Sequence, residues 1–128
     1  MVHDEKQQHW QWRYDMAQRM AEALPMPDYG VKALYLIGSV KTGHVGPCSD
    51  IDLLAYCSGD AIKHKLLSAW CEGWGLCLAA IHYQKTGYKI RGSLVDLHII
   101  TDEDIKQKSS FAAMLDSLDN RPKLLRKD

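Results

Sequence analysis

Apolar positions in this chain follow two periods, and the switches between them mark out its elements. Over residues 4 to 24, Trp10, Tyr14, Ala17, Ala21 and Leu24 recur at helical spacing, predicting a first helix that Pro25 and Pro27 end. Lys32 to Ile37 is a short apolar run stopped by Gly38, which predicts a strand. Residues 39 to 49, rich in Gly, Ser, Thr and Pro, predict a turn and loop. Asp50 to Cys57 predicts a second strand. Ser58-Gly59-Asp60 opens a helix striped by Ile62, Leu66, Trp70 and Gly73, with Gly73 and Gly75 breaking it. Leu76 to Tyr83 is short and apolar and predicts a third strand, because Gly75 disfavours continued helix. Gln84 to Gly92 reads as a basic hairpin connection carrying Lys85, Lys89 and Arg91, and Leu94 to Ile100 as the last strand. Thr101 caps a final helix opening Asp102-Glu103-Asp104, acids where the helix dipole favours them, with Ile105, Ala112, Leu115 and Leu118 as its buried stripe. Arg121 to Asp128 is expected to be a frayed polar tail.

These elements predict an α+β fold: a mixed, mostly antiparallel sheet of four or five strands with helices packed mainly on one face. Residues 1–120 form one domain, with 121–128 as its tail. The strand faces agree with one another. Ile51, Leu53 and Ala55 oppose Asp50 and Asp52, while Val95, Leu97 and Ile99 oppose Asp96 and His98. The aliphatic face would pack on helices, leaving the acids on an open face.

Asp50 and Asp52 are the chemistry-bearing pair. Side chains i and i+2 on a strand share a face about 6.5–7 Å apart, a geometry that can bracket divalent cations. Asp is depleted in strands, and two in one apolar strand are costly without cations. Upstream, Leu34-Tyr35-Leu36-Ile37 ends in Gly38-Ser39, a turn offering backbone N–H groups and a hydroxyl to a phosphate oxygen. An apolar strand, Gly-Ser, a loop, then Asp-apolar-Asp resembles the signature of the DNA polymerase beta-like nucleotidyltransferase superfamily, and the short length is most similar to its minimal members.

That resemblance spans about residues 30 to 100. It implies the nucleotidyltransferase fold and a third carboxylate on a later strand, matched by Asp96 in Leu94-Val95-Asp96-Leu97-His98. It further implies Asp50, Asp52 and Asp96 as catalytic metal ligands for magnesium or manganese, with Gly38 and Ser39 at the nucleotide and Lys41 as a neighbouring cation. Small bacterial members continue Gly-Ser-x-Ala-Arg-Gly, where this chain has Gly38-Ser39-Val40-Lys41-Thr42-Gly43. Lys41 lacks the guanidinium fork, so bidentate phosphate binding by that Arg has no counterpart here. Larger relatives append a helical substrate domain; small ones often work with a separate helical protein, so a helical partner or a homo-oligomer is implied.

Composition narrows the alternatives. The chain has 128 residues, 46% apolar and 25% charged, as in an ordinary globular domain. Lys plus Arg and Asp plus Glu are 16 each, so the basic excess of a duplex nucleic-acid binder is missing. No apolar run suits a membrane span and no secretory signal is expected at Met1 to Lys6, which points to a cytoplasmic protein. Cys48, Cys57, Cys71 and Cys77 form no Cys-x-x-Cys pair, so reduced thiols are expected, with Cys57 and Cys77 in the core and Cys48 in the loop before Asp50. Trp10, Trp12, Trp70 and Trp74 read as core or interface anchors.

Two functional classes follow. One is a metal-dependent nucleotidyltransferase moving NMP from an NTP, ATP being the default, to a hydroxyl on a small molecule, a protein or an RNA end. The alternative is a non-catalytic nucleotide- or partner-binding module of the same fold. Three costly acids kept together favour the enzyme.

Overall fold

Helical and strand periods alternate much as expected in a computed structural model, which describes residues 5–116 and 121–128. The elements in order are α1 (Glu5–Ala23), β1 (Val31–Ile37), a short α2 (Gly38–Thr42), β2 (Ile51–Cys57), α3 (Ala61–Thr86), β3 (Val95–Ile100), α4 (Asp102–Gln107), α5 (Ser110–Ala113) with a 3-10 turn at Met114–Asp116, and β4 (Lys123–Lys127). The four strands lie in the order β3-β2-β1-β4. β1 runs antiparallel to both β2 and β4, while β2 and β3 are parallel. The sheet is therefore mixed and mostly antiparallel, as the sequence predicts.

The long helices α1 and α3 cover one face. Ala17, Met20 and Ala21 of α1, with Leu24 just beyond it, meet Leu34 and Leu36, Ile51, Leu53 and Ala55, and Leu67, Cys71 and Leu78 of α3 in one core. Trp10, Trp12, Trp70 and Trp74 pack around it, as anchors should. On the other face a small cluster, Ile37, Leu54, Ile100 and Ala112, packs with Tyr35, Tyr56 and Phe111. No helix among the described residues is long and apolar enough to cross a membrane.

Several expectations are corrected. Leu76 to Tyr83 is not a strand but the second half of α3. A glycine inside a helix costs about 1 kcal/mol against alanine, but at Gly75 the small residue serves packing. A Cβ there would lie 1.6 Å from Ser93 Oγ and 2.8 Å from the Val95 nitrogen, so only glycine lets α3 approach the entry to β3. The basic segment after Thr86 thus joins a helix to a strand, and a helical crossover makes its flanking strands parallel where a hairpin would make them antiparallel.

The buried stripe of α3 is also shifted from expectation. Leu67, Cys71, Leu78, Ala79 and His82 face the core, whereas Ile62 and Leu66 are 73% and 50% exposed. Cys77 lies on the exposed side with them, not in the core; Cys57 is buried and Cys48 exposed. The predicted last helix divides at Lys108, whose φ of 54° ends α4 in the left-handed region. Ala112 is buried but Ile105 is exposed, and Leu118 lies outside the described residues. Finally, the expected tail supplies an edge strand: Tyr35 pairs with Leu124 and Leu36 with Lys123. Arg126 anchors it, Nη1 donating to the carbonyl oxygens of Ala21 and Leu24 at 2.9 Å each, at the end of α1.

Candidate active site

Parallel register decides which acids meet. Ile51 pairs with Val95, Asp52 with Asp96, and Leu54 with His98. Ile51, Leu53 and Ala55 are buried in the main core, so alternation turns Asp52 to the opposite face beside Asp96. β1 ends against the same point, Ile37 pairing with Asp52. The chain then turns through Gly38 at φ +73°, where a Cβ would stand 2.3 Å from Asp52 Oδ2. The Gly-Ser motif and the Asp-apolar-Asp motif are thus in contact, and glycine is required twice over, for its backbone angle and for its missing Cβ.

One donor atom from each of Asp52, Asp96 and His98 lies within 4.8 Å of the others. His98 Nε2 is 3.3 Å from Asp96 Oδ2. The imidazole stacks on Phe111, ring centroids 4.2 Å apart and planes inclined by 25°. α5, which carries Phe111, is in turn seated by buried Ala112. Asp96 is exposed and His98 half-buried, so the group opens to solvent.

Crowding of like charge shows in the acids themselves. Burial, then the neighbouring charges of Asp96 and Asp50, push the Asp52 carboxyl up to about 6, and a hydrogen bond with Asp96 adds to the effect. Asp50 is also raised, by burial first and then by Asp96, with the cation of Arg13 acting the other way. Carboxylates held together against their own repulsion, with an imidazole beside them, form a donor set that fits a divalent cation. Asp50 itself stands one residue ahead of β2, at the rim of this group rather than within it.

Arg13 is the residue that sequence reasoning missed. It is 0% exposed, and burial lowers its pKa, with Cys48 and Asp50 opposing. Its Nε donates to the Ser49 carbonyl at 2.8 Å and Nη2 to the Pro47 carbonyl at 3.0 Å. His82 Nε2–H donates to the same Pro47 oxygen at 2.6 Å. α1 and α3 thereby clamp the loop that delivers Asp50. The signal was present: position 13 falls on the Trp10–Ala17 stripe, where a charge is out of place unless it has a task.

The remaining candidates divide. Ser39 does not cap α2; that position is Ile37, without a side-chain bond. The Ser39 carbonyl instead accepts from the Gly43 and His44 amides, closing the turn against Asp52, and α1 holds the same turn through Trp10 Nε1, which donates to the Val40 carbonyl at 2.7 Å. Lys41 Nζ donates to the Arg121 carbonyl at 3.0 Å, so it is engaged with the segment leading to β4. Lys85 lies over the Trp12 ring and His44 is exposed.

A sequence model of the nucleotidyltransferase domain matches residues 17–115. No curated protein matches the chain. Among solved structures, a candidate nucleotidyltransferase from Sulfolobus solfataricus is similar at 16% identity, with 83% of this chain and 82% of that chain covered and a TM-score of 0.45, a likeness too distant to inform the chemistry.

Proposed function

Because the chain belongs to the nucleotidyltransferase domain family, we propose that it transfers NMP from an NTP to a hydroxyl acceptor at the Asp52–Asp96 group. The pairing of those two acids across parallel strands, with Asp52 against Gly38, carries this reading. Asp52 and Asp96, with Asp50 at their rim, would hold magnesium or manganese, which would supply neutralisation of the triphosphate and of the leaving pyrophosphate.

The chain's own residues do the rest. The Gly38-Ser39 turn presents amides and a hydroxyl to the phosphates. Lys41, held by the Arg121 carbonyl, stands beside this turn as the neighbouring cation. Asp96, exposed on β3, accepts the proton of the acceptor hydroxyl as that oxygen bonds to the α-phosphorus and the bond to pyrophosphate breaks. Arg13 and His82 keep the Asp50 loop in register with the sheet.

The test is incubation with each α-labelled NTP, magnesium or manganese, and lysate that supplies acceptors and any helical partner. Label should move to an acceptor with wild type and not with Asp52→Asn. Metal and NTP binding without any transfer would make the domain a binding module.

A further inference from the structure

His98 has no part in the scheme above, yet its Nε2 stands 3.3 Å from Asp96 Oδ2. Resting on the reading that Asp52 and Asp96 hold a divalent cation, we propose that His98 Nε2 is a direct ligand of that cation, and that its imidazole makes the site prefer manganese or a similar transition metal over magnesium.

Three observations support it. The first is position. In octahedral coordination at 2.0–2.1 Å, neighbouring ligand atoms lie about 3 Å apart and opposite ones about 4 Å apart. The 3.3 Å between His98 Nε2 and Asp96 Oδ2 matches the shorter spacing, and the 4.8 Å limit on all three donors leaves little movement to close around an ion. The second is orientation. Stacking on Phe111 fixes the ring plane with Nε2 turned to Asp96, and Phe111 belongs to a packed cluster with Ile37, Leu54 and Ile100. A ligand held this way loses little freedom on binding metal. The third is register. β2 and β3 place His98 two residues beyond Asp96 on the same face, so the donors come from rigid strands rather than loops.

Chemistry then sets the preference. Magnesium takes oxygen ligands and keeps its waters, whereas imidazole nitrogen suits first-row transition cations. Manganese accepts carboxylate and imidazole together. A site of two carboxylates and one imidazole therefore gains affinity for manganese from His98 that magnesium does not gain.

The competing role for His98 is to hydrogen-bond Asp96 without touching the metal. Manganese bound to wild-type protein in the absence of nucleotide separates the two, because electron spin-echo modulation detects a directly coordinated nitrogen. The expected spectrum contains imidazole nitrogen coupling, lost in His98→Ala. Magnesium competition should show the manganese preference falling by about tenfold or more in that variant, on the scale that metal-site partners usually carry. Phe111→Leu, which leaves the imidazole but frees its ring, should weaken manganese binding and keep the nitrogen coupling. Nitrogen coupling absent from wild type, with the metal preference unchanged in His98→Ala, would overturn the proposal while leaving the Asp52–Asp96 site intact. Manganese binding unaffected by Asp52→Asn, with and without a non-hydrolysable NTP, would instead remove the site on which both readings stand.

Discussion

β2 and β3 have two faces, and they are built on opposite principles. One carries Ile51, Leu53 and Ala55, each 0% exposed, under two long helices. The other carries Asp52, Asp96 and His98 beside a small apolar cluster around Leu54 and Ile100. The same backbone hydrogen bonds serve both. Stability comes from the covered face, which leaves the open face free to hold acids that repel one another. The two faces should therefore respond to substitution in opposite directions.

Asp52→Asn should have the largest effect on function. Losing a metal ligand removes several kcal/mol of transition-state charge stabilisation, so transfer should fall by roughly 10³-fold or more in a labelled-NTP assay. The same variant, freed of a charge crowded by Asp96 and Asp50, should melt above the metal-free wild type at neutral pH. A variant that melts lower would show that the open face contributes to folding after all.

Leu53→Ala, one residue away on the covered face, should do the reverse. It should cost about 2–5 kcal/mol in denaturant unfolding. Whatever fraction remains folded should still bind manganese.

Asp96→Asn sharpens the division within the open face. Loss of a proton acceptor typically costs on the order of 10²–10⁴ in rate, while NTP affinity, drawn from Gly38, Ser39 and Asp52, should change far less. Equal losses in both would make Asp96 a binding residue.

Arg13→Met keeps the stem and removes the donors to Pro47 and Ser49. Two partly buried carbonyls lose that partner, at about 1–3 kcal/mol, and limited proteolysis of the His44–Ser49 loop should rise.

The smallest effect is in pH. Asp52 holds its proton more tightly folded, up to about 6, than the ordinary 3.8, so the native state binds the extra proton. Stability from this group is thus full below about 4, falls as pH rises towards 6, and stays low above it. Half-exposure and solvent screening keep the change on the order of 1 kcal/mol. Melting curves of metal-free protein across this window should show a slope in wild type that is smaller in Asp52→Asn, where only Asp50 is still raised by burial.

Much of the open face was legible because it depends on local alternation. Asp50–Asp52 and Asp96–His98 announce themselves as charges inside apolar runs, and Gly38-Ser39 as a turn after one. What sequence could not show depends on contacts between distant segments. Gly75 reads as a helix breaker until Ser93 is known to lie against it. The 121–128 segment reads as a tail because Lys123, Arg126 and Lys127 are polar, yet an edge strand needs only backbone pairing and one covered side. The exposed stripe of α3, with Ile62, Leu66 and Leu76, misled by being apolar where it meets solvent. Arg13 was hidden by the opposite inversion, a charge where the core lies.

That edge strand has a consequence for the order in which the protein can be made. On the ribosome, segments emerge in sequence and fold as their partners appear. Once residue 100 has emerged, β1, β2 and β3 can already align, so the carboxylates can gather early. The outer edge of β1 must wait for residues 123–127, whose Arg126 reaches back across more than 100 positions to Ala21 and Leu24. A nascent chain would thus hold its charged site before its sheet is sealed, with β1 open to pairing by another chain in the interval.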